Sequence, residues 1–153
     1  MKLGIIGCGA IGTDVALAAD EFEELSEIFL YDIEEIKMKN LKKKMKKASL
    51  VTIDEMIKKA DIIFEAASQD AVNQYAKKIL ENGKDIIIMS IGSLFDDDLR
   101  REITEIARQK ECKIYLPSGA VCGIDGILSA SLDQIDEVTL VTTKPPKAID
   151  SSI

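Results

Sequence analysis

Gly7, Gly9 and Gly12 stand between an apolar run, Leu3–Gly7, and a stretch of small residues that reaches Asp20, and no other feature constrains the fold as much. Glycine adopts turns and permits backbone contacts that a Cβ forbids. The spacing therefore predicts a strand, a tight turn and a closely packed helix (Gly9–Phe22). The same alternation continues. Strands are expected at Glu27–Asp32, Ser49–Thr52, Asp61–Ala67, Asp85–Ser90 and Lys113–Leu116. Helices are expected at about Glu34–Lys47, from an Asp54 cap to Lys59, at Asp70–Glu81 closed by Asn82-Gly83, and at about Asp97–Lys110. Runs such as DIIF and IIIM lack period-two alternation, as strands covered on both faces do. The expected fold is α/β, a doubly wound parallel sheet of the Rossmann type.

Within that fold each glycine acquires a task. Gly7 permits the turn, Gly9 lets backbone N–H groups approach a pyrophosphate, and Gly12 lets the helix pack against the strand. The phosphates would meet the positive end of the helix. The bland alternative is a glycine turn in a fold that binds no dinucleotide. Asp32 lies 20 residues beyond Gly12 at the predicted end of the second strand. There a carboxylate accepts hydrogen bonds from ribose hydroxyls, or else caps the following helix. Glu34 and Glu35 follow and no arginine does, which favours NAD over NADP. Two loops of small residues, Glu65-Ala66-Ala67-Ser68-Gln69 and Met89-Ser90-Ile91-Gly92-Ser93, fall at the same edge of the predicted sheet. Ser68 reads as a helix cap or a ribose contact. Pro117–Gly126, with three glycines, reads as backbone against the nicotinamide end of the cofactor, or as a crossover to the next element.

Composition bounds the function. A net charge of −7 argues against a nucleic-acid partner, and no apolar run is long enough to cross a bilayer. The start of the chain lacks the marks of a signal peptide, so a cytoplasmic location is expected. Cys8, Cys112 and Cys122 form no C-x-x-C pair and read as small thiols in a reducing compartment. The chain contains no histidine, the commonest general acid/base, and no metal site is expected. The run Lys42–Lys47 reads as the solvated face of a helix with Met45 turned inward. Beyond Pro117 a small-residue helix is expected near Ile124–Ser131, then a strand over Glu137–Lys144. This divides the chain into a dinucleotide-binding domain, 1–132, and the incomplete start of a second α/β domain, 133–153.

The stretches GCGAIG, EAASQDAV, IMSIGSL, PSGAVCGIDGILSAS and VTLVTTKPP occur here in one order. With them the chain resembles the L-aspartate dehydrogenases, NAD(P)-dependent amino-acid oxidoreductases. The resemblance implies oxidation of L-aspartate to iminoaspartate by hydride transfer, with hydrolysis to oxaloacetate and ammonia. It also implies that the imine feeds quinolinate and NAD synthesis. It places Ala10 and Ile11 in the phosphate turn and Asp32 on the ribose. Ala66, Ala67 and Ser68, with Ser90 and Gly92, would line the cofactor cleft, and Ala120 would meet the nicotinamide end. Members of the family accept NAD or NADP. Their catalytic acid/base is a histidine in a C-terminal α/β domain, so no catalytic residue is named here. The chain is then either a fragment of a longer enzyme or a short relative that holds cofactor without turnover. A homodimer is expected, through the glycine-rich segment or an unfinished sheet edge after Lys144.

Overall fold

Six parallel strands run in the spatial order β3-β2-β1-β4-β5-β6 in the computed structural model, which describes residues 1–118, 127, 131, 134–139, 141 and 143. The strands are β1 (Lys2–Ile6), β2 (Glu27–Tyr31), β3 (Ala48–Leu50), β4 (Ile62–Glu65), β5 (Asp85–Ile88) and β6 (Ile114–Tyr115). Five helices alternate with them: α1 (Ala10–Asp20), α2 (Glu35–Lys42), α3 (Ile53–Lys59), α4 (Gln69–Glu81) and α5 (Asp97–Lys110). This order, outward in both directions from β1, is the doubly wound arrangement, which creates a crevice at the C-terminal ends of the strands beside β1. Two compact units divide the chain, Met1–Pro117 and Ser118–Ile153, and the sheet lies in the first.

Two buried clusters cover the two faces of the sheet. One gathers Ile6, Phe29, Ile63, Ile86 and Ile88 with Met56 and Ile57 of α3, Val72, Ala76 and Ile79 of α4 and Ile103 of α5. The other gathers Ile5, Ile28, Leu30 and Phe64 with Ala16 and Ala19 of α1 and Met38 and Leu41 of α2. Successive residues of β1 and β2 thus point into opposite clusters, which is why those strands read as unbroken apolar runs.

Several element ends depart from the sequence reading. Helix α2 stops at Lys42 rather than Lys47. The reason is tertiary: the buried Asp20 at the end of α1 accepts the backbone N–H of Lys46 and of Lys47, both at 2.8 Å, and pulls that segment out of the helix. Met45 still packs inward, against the α1–α2 side of the core. Helix α3 is capped by Thr52 and not by Asp54. Thr52 accepts from Glu55 N–H while the Glu55 carboxylate accepts from Thr52 N–H, a reciprocal capping box. Asp54 sits in the first turn and pairs with Lys78. A short 3-10 helix, Ile91–Phe95, follows β5 where only a loop was expected; it buries Leu94.

Beyond Pro117, Ser131 N–H donates to the Ile127 carbonyl at 2.9 Å, one bond of a helical turn. The rest of the helix expected at Ile124–Ser131 lies outside the described residues. Residues 137–139, 141 and 143 are not in a strand, contrary to expectation, and Val138 and Val141 are exposed. A strand needs a neighbour for its N–H and C=O groups, and among the described residues none pairs with this segment.

Asp20 yields a pH test. Burial pushes its carboxyl up, but the Lys46 and Lys47 N–H donors and the charges of the same two lysines outweigh this and hold it below its ordinary value. A carboxyl with a depressed folded pKa stabilises above its unfolded pKa, about 4, and loses that contribution as pH falls through the folded value. Asp20→Asn is therefore expected to melt below wild type at pH 7, with the gap closing as pH drops below about 4. Melting curves from pH 7 to 3 check this; a gap that stays constant contradicts it.

Candidate functional site

The three glycines differ in what surrounds them. Gly7 has φ +97°, the left-handed region that glycine adopts readily, and a Cβ there would meet Ala66 O at 2.6 Å and Ala67 N at 2.8 Å. At Gly12 a Cβ would stand 1.9 Å from the Gly7 carbonyl oxygen. Close packing thus excludes side chains at Gly7 and Gly12. Gly9 is the opposite case, with nothing within 4 Å of the same position. It is the N-cap of α1, supplies no side-chain cap, and leaves open space before the helix N-terminus. Ala10 and Ile11 form the first turn behind it, and Ile11 is half exposed. The open space at Gly9, the N-cap of α1, leaves room for a phosphate group, which backbone N–H donors and the helix dipole attract.

Asp32 follows β2 and holds this turn to its neighbour. Its Oδ2 accepts from Cys8 N–H at 2.7 Å and its Oδ1 from Glu34 N–H at 2.8 Å. It is not the N-cap of α2; Glu34 is. A carboxylate offers about four acceptor positions, so each oxygen keeps one for a hydroxyl donor. Burial pushes the Cys8 thiol up to about 11, Asp32 adds to the shift and Lys37 opposes it. Cys8 is therefore a protonated packing residue at neutral pH, as the sequence suggested.

A cleft of about 210 Å³ opens beside Gly7, Asp32, Ala67 and Ser68. Ile6, Tyr31, Ile33, Asp70, Ala71, Gln74 and Tyr75 complete its lining, with two carboxylates and no lysine or arginine. Ser68 serves as the N-cap of α4, its hydroxyl accepting from Ala71 N–H at 3.2 Å. Tyr31 and Tyr75 meet edge to face, with centroids 6.0 Å apart and hydroxyls 3.3 Å apart. That hydrogen bond, with burial, pushes Tyr31 up to about 12. Ile33 stands 87% exposed at the rim, an apolar face beside a carboxylate.

The second loop is tied in by a residue the sequence reading quoted without assigning it a task. Glu65, only 1% exposed, ends β4, and its carboxylate accepts from Ala67 N–H, Ser68 N–H, Ser90 N–H and the Ser90 hydroxyl. Ala66 packs partly buried against the α1–α2 side of the core. Gly92, in the 3-10 helix, lies against the flexible end of Gln69. The sequence signal for Glu65 was an acid closing the apolar run IIF, since a buried charge demands nearby donors. Ala120, with Gly119 and Cys122, lies outside the described residues. Among the described residues no cluster of histidine, cysteine, aspartate or glutamate could hold a metal ion, and no helix is long and apolar enough to cross a membrane.

Comparison with known proteins shows what the chain is similar to. Residues 7–117 match the family model described as homoserine dehydrogenase, NAD binding domain. The chain is 43% identical over 152 residues to the L-aspartate dehydrogenase of Methanosarcina barkeri, covering 97% of this chain and 56% of that protein. It is 36% identical to that of Methanothermobacter thermautotrophicus, covering 100% and 60%. The crystal structure of aspartate dehydrogenase from Thermotoga maritima superposes with a TM-score of 0.65 at 26% identity, covering 84% of this chain and 50% of that one. The chain thus spans half to three-fifths of the length of these relatives. It belongs to the NAD-binding-domain family of the homoserine dehydrogenase type, and within it to the kindred of the L-aspartate dehydrogenases.

Proposed function

We propose that this chain is the NAD-binding part of an L-aspartate dehydrogenase. The observation that carries the reading is the open space at the Cβ position of Gly9, the N-cap of α1, together with a cleft lined by Gly7, Asp32, Ala67 and Ser68. Gly7, Gly9, Ala10, Ile11 and Gly12 would hold the pyrophosphate on backbone N–H groups. Asp32 would accept from the adenosine ribose hydroxyls with the acceptor positions that Cys8 and Glu34 leave free. Ala66, Ala67, Ser68, Ser90 and Gly92 would line the cofactor cleft, and Ala120 would contact the nicotinamide end of the cofactor. Asp32 and Asp70 would repel a 2′-phosphate, which supports NAD over NADP. NAD, when bound, supplies the hydride acceptor for oxidation of L-aspartate to iminoaspartate. The reading includes a cofactor domain over 1–132, the start of a substrate and dimer domain over 133–153, a homodimer and a cytoplasmic location.

One preparation tests it. The 153-residue chain is expected to bind NADH saturably, by fluorescence titration. Its aspartate-dependent NAD reduction is expected at least about a hundredfold below that of the Methanosarcina barkeri enzyme, because general acid/base catalysis is worth about that much and the chain has no histidine. Absence of NADH binding overturns the cofactor reading. Robust turnover overturns the expectation that aspartate oxidation needs a histidine. Light scattering on the same sample reads the dimer, and a monomer at high concentration counts against it.

A further inference from the structure

Parallel strands β4 and β5 pair through Glu65 and Ile88, and past that point no ladder holds the two loops together. Glu65 extends the join by one residue. Its main-chain carbonyl accepts Met89 N–H at 3.0 Å, and its carboxylate Oε2 accepts the next donor, Ser90 N–H, also at 3.0 Å. Oε1 takes Ala67 N–H at 2.8 Å, Ser68 N–H at 3.0 Å and the Ser90 hydroxyl at 2.9 Å. The same loop carries the Ala66–Ala67 peptide on which Gly7 rests. One buried carboxylate thus connects the glycine turn, the loop after β4 and the loop after β5.

We propose that Glu65 is the positioning residue of the cofactor cleft, tying the loop at Ser90 to the loop at Ala67–Ser68 so that the wall under the nicotinamide half keeps its shape. The proposal rests on the NAD reading above. Its geometry follows from strand order. β5 lies two strands from β1 on the side away from β2, so Ser90–Gly92 stands about 10 Å across the sheet from the glycine turn, opposite Asp32. An adenosine anchored at Asp32 leaves the other half of an extended dinucleotide to lie toward Ser90. A carboxylate is costly to bury without partners, so its four donors are drawn firmly into place.

Glu65→Gln in the full chain separates this role from simple stability. The glutamine oxygen still accepts from Ala67 and Ser68, but its NH₂ replaces the oxygen that faced Ser90 N–H, setting donor against donor. NADH affinity is expected to fall about tenfold, while AMP, which reaches only the Asp32 and glycine-turn side, binds within about twofold of wild type. Ser90→Ala, which deletes only the hydroxyl donor, is expected to weaken NADH about threefold and leave AMP unchanged. Unchanged NADH affinity in either variant, or parallel losses of NADH and AMP that track a lowered Tm, overturns the proposal. Wild-type chain that binds neither ligand defeats the NAD reading itself; wild-type binding with insensitive variants defeats only the role of Glu65.

Discussion

Gly12→Ala is expected to melt about 10 °C below wild type and to lose measurable NADH binding. The added methyl would stand 1.9 Å from the Gly7 carbonyl oxygen, far inside any van der Waals contact, and that oxygen belongs to the backbone of the glycine turn. Relief requires α1 to move off β1, which disturbs the packing of Ala16 and Ala19 against Ile5 and Ile28. Overpacking of this kind costs roughly 3 kcal/mol, which for a chain of this size corresponds to the stated fall in Tm. The same movement carries the helix N-terminus away from the turn, so binding fails together with stability.

Gly9→Ala supplies the contrast. Nothing lies within 4 Å of its Cβ position, and its φ of −74° suits any residue. Stability is expected within about 0.5 kcal/mol of wild type, while the methyl intrudes on the space assigned to the phosphates and lowers NADH affinity about tenfold. Thermal melts and NADH titrations on the two variants check both expectations. A wild-type Tm for Gly12→Ala contradicts the close approach, and wild-type NADH affinity for Gly9→Ala contradicts the placement of the phosphates.

Asp32→Ala is the second large effect, with NADH affinity expected to fall about a hundredfold. The substitution removes the carboxylate proposed to accept from the ribose and also strands Cys8 N–H, whose 2.7 Å bond to Oδ2 sets the glycine turn beside β2. Asp32→Asn should fare little better, because both oxygens now receive backbone N–H groups and an amide offers only one acceptor oxygen. NADPH should lose less than NADH in either variant, since the charge facing a 2′-phosphate is gone. The NADH-to-NADPH affinity ratio is therefore expected to fall about tenfold. Titrations of both nucleotides on the three proteins measure it, and NADH affinity within twofold of wild type excludes Asp32 as the ribose anchor.

Local pattern carries most of the strand and helix reading. Helix α5 was expected at Asp97–Lys110 and occupies those residues, because an acidic N-terminal turn, an apolar stripe at Leu99, Ile103 and Ala107 and a basic last turn all act within one helix. Asn82-Gly83 ends α4 for a similarly local reason, the φ of +71° at Gly83. The glycine turn and the place of Asp32 just past β2 were legible too, since backbone turns and strand ends follow from neighbours in sequence.

Contacts between distant segments were not legible. Helix α2 loses its last turn to Asp20, which lies 26 residues before Lys46. The pairing of Tyr31 with Tyr75 joins residues 44 apart. Glu65 shows the division most clearly. The sequence by itself determined that a charge would end an apolar strand beside two small-residue loops, because the order of residue types sets strand, turn and helix locally. Only the tertiary structure decided that this charge would be buried and claimed by Ser90, 25 residues away, because hydrogen-bond partners for a buried group exist only once strand order has placed β5 beside β4.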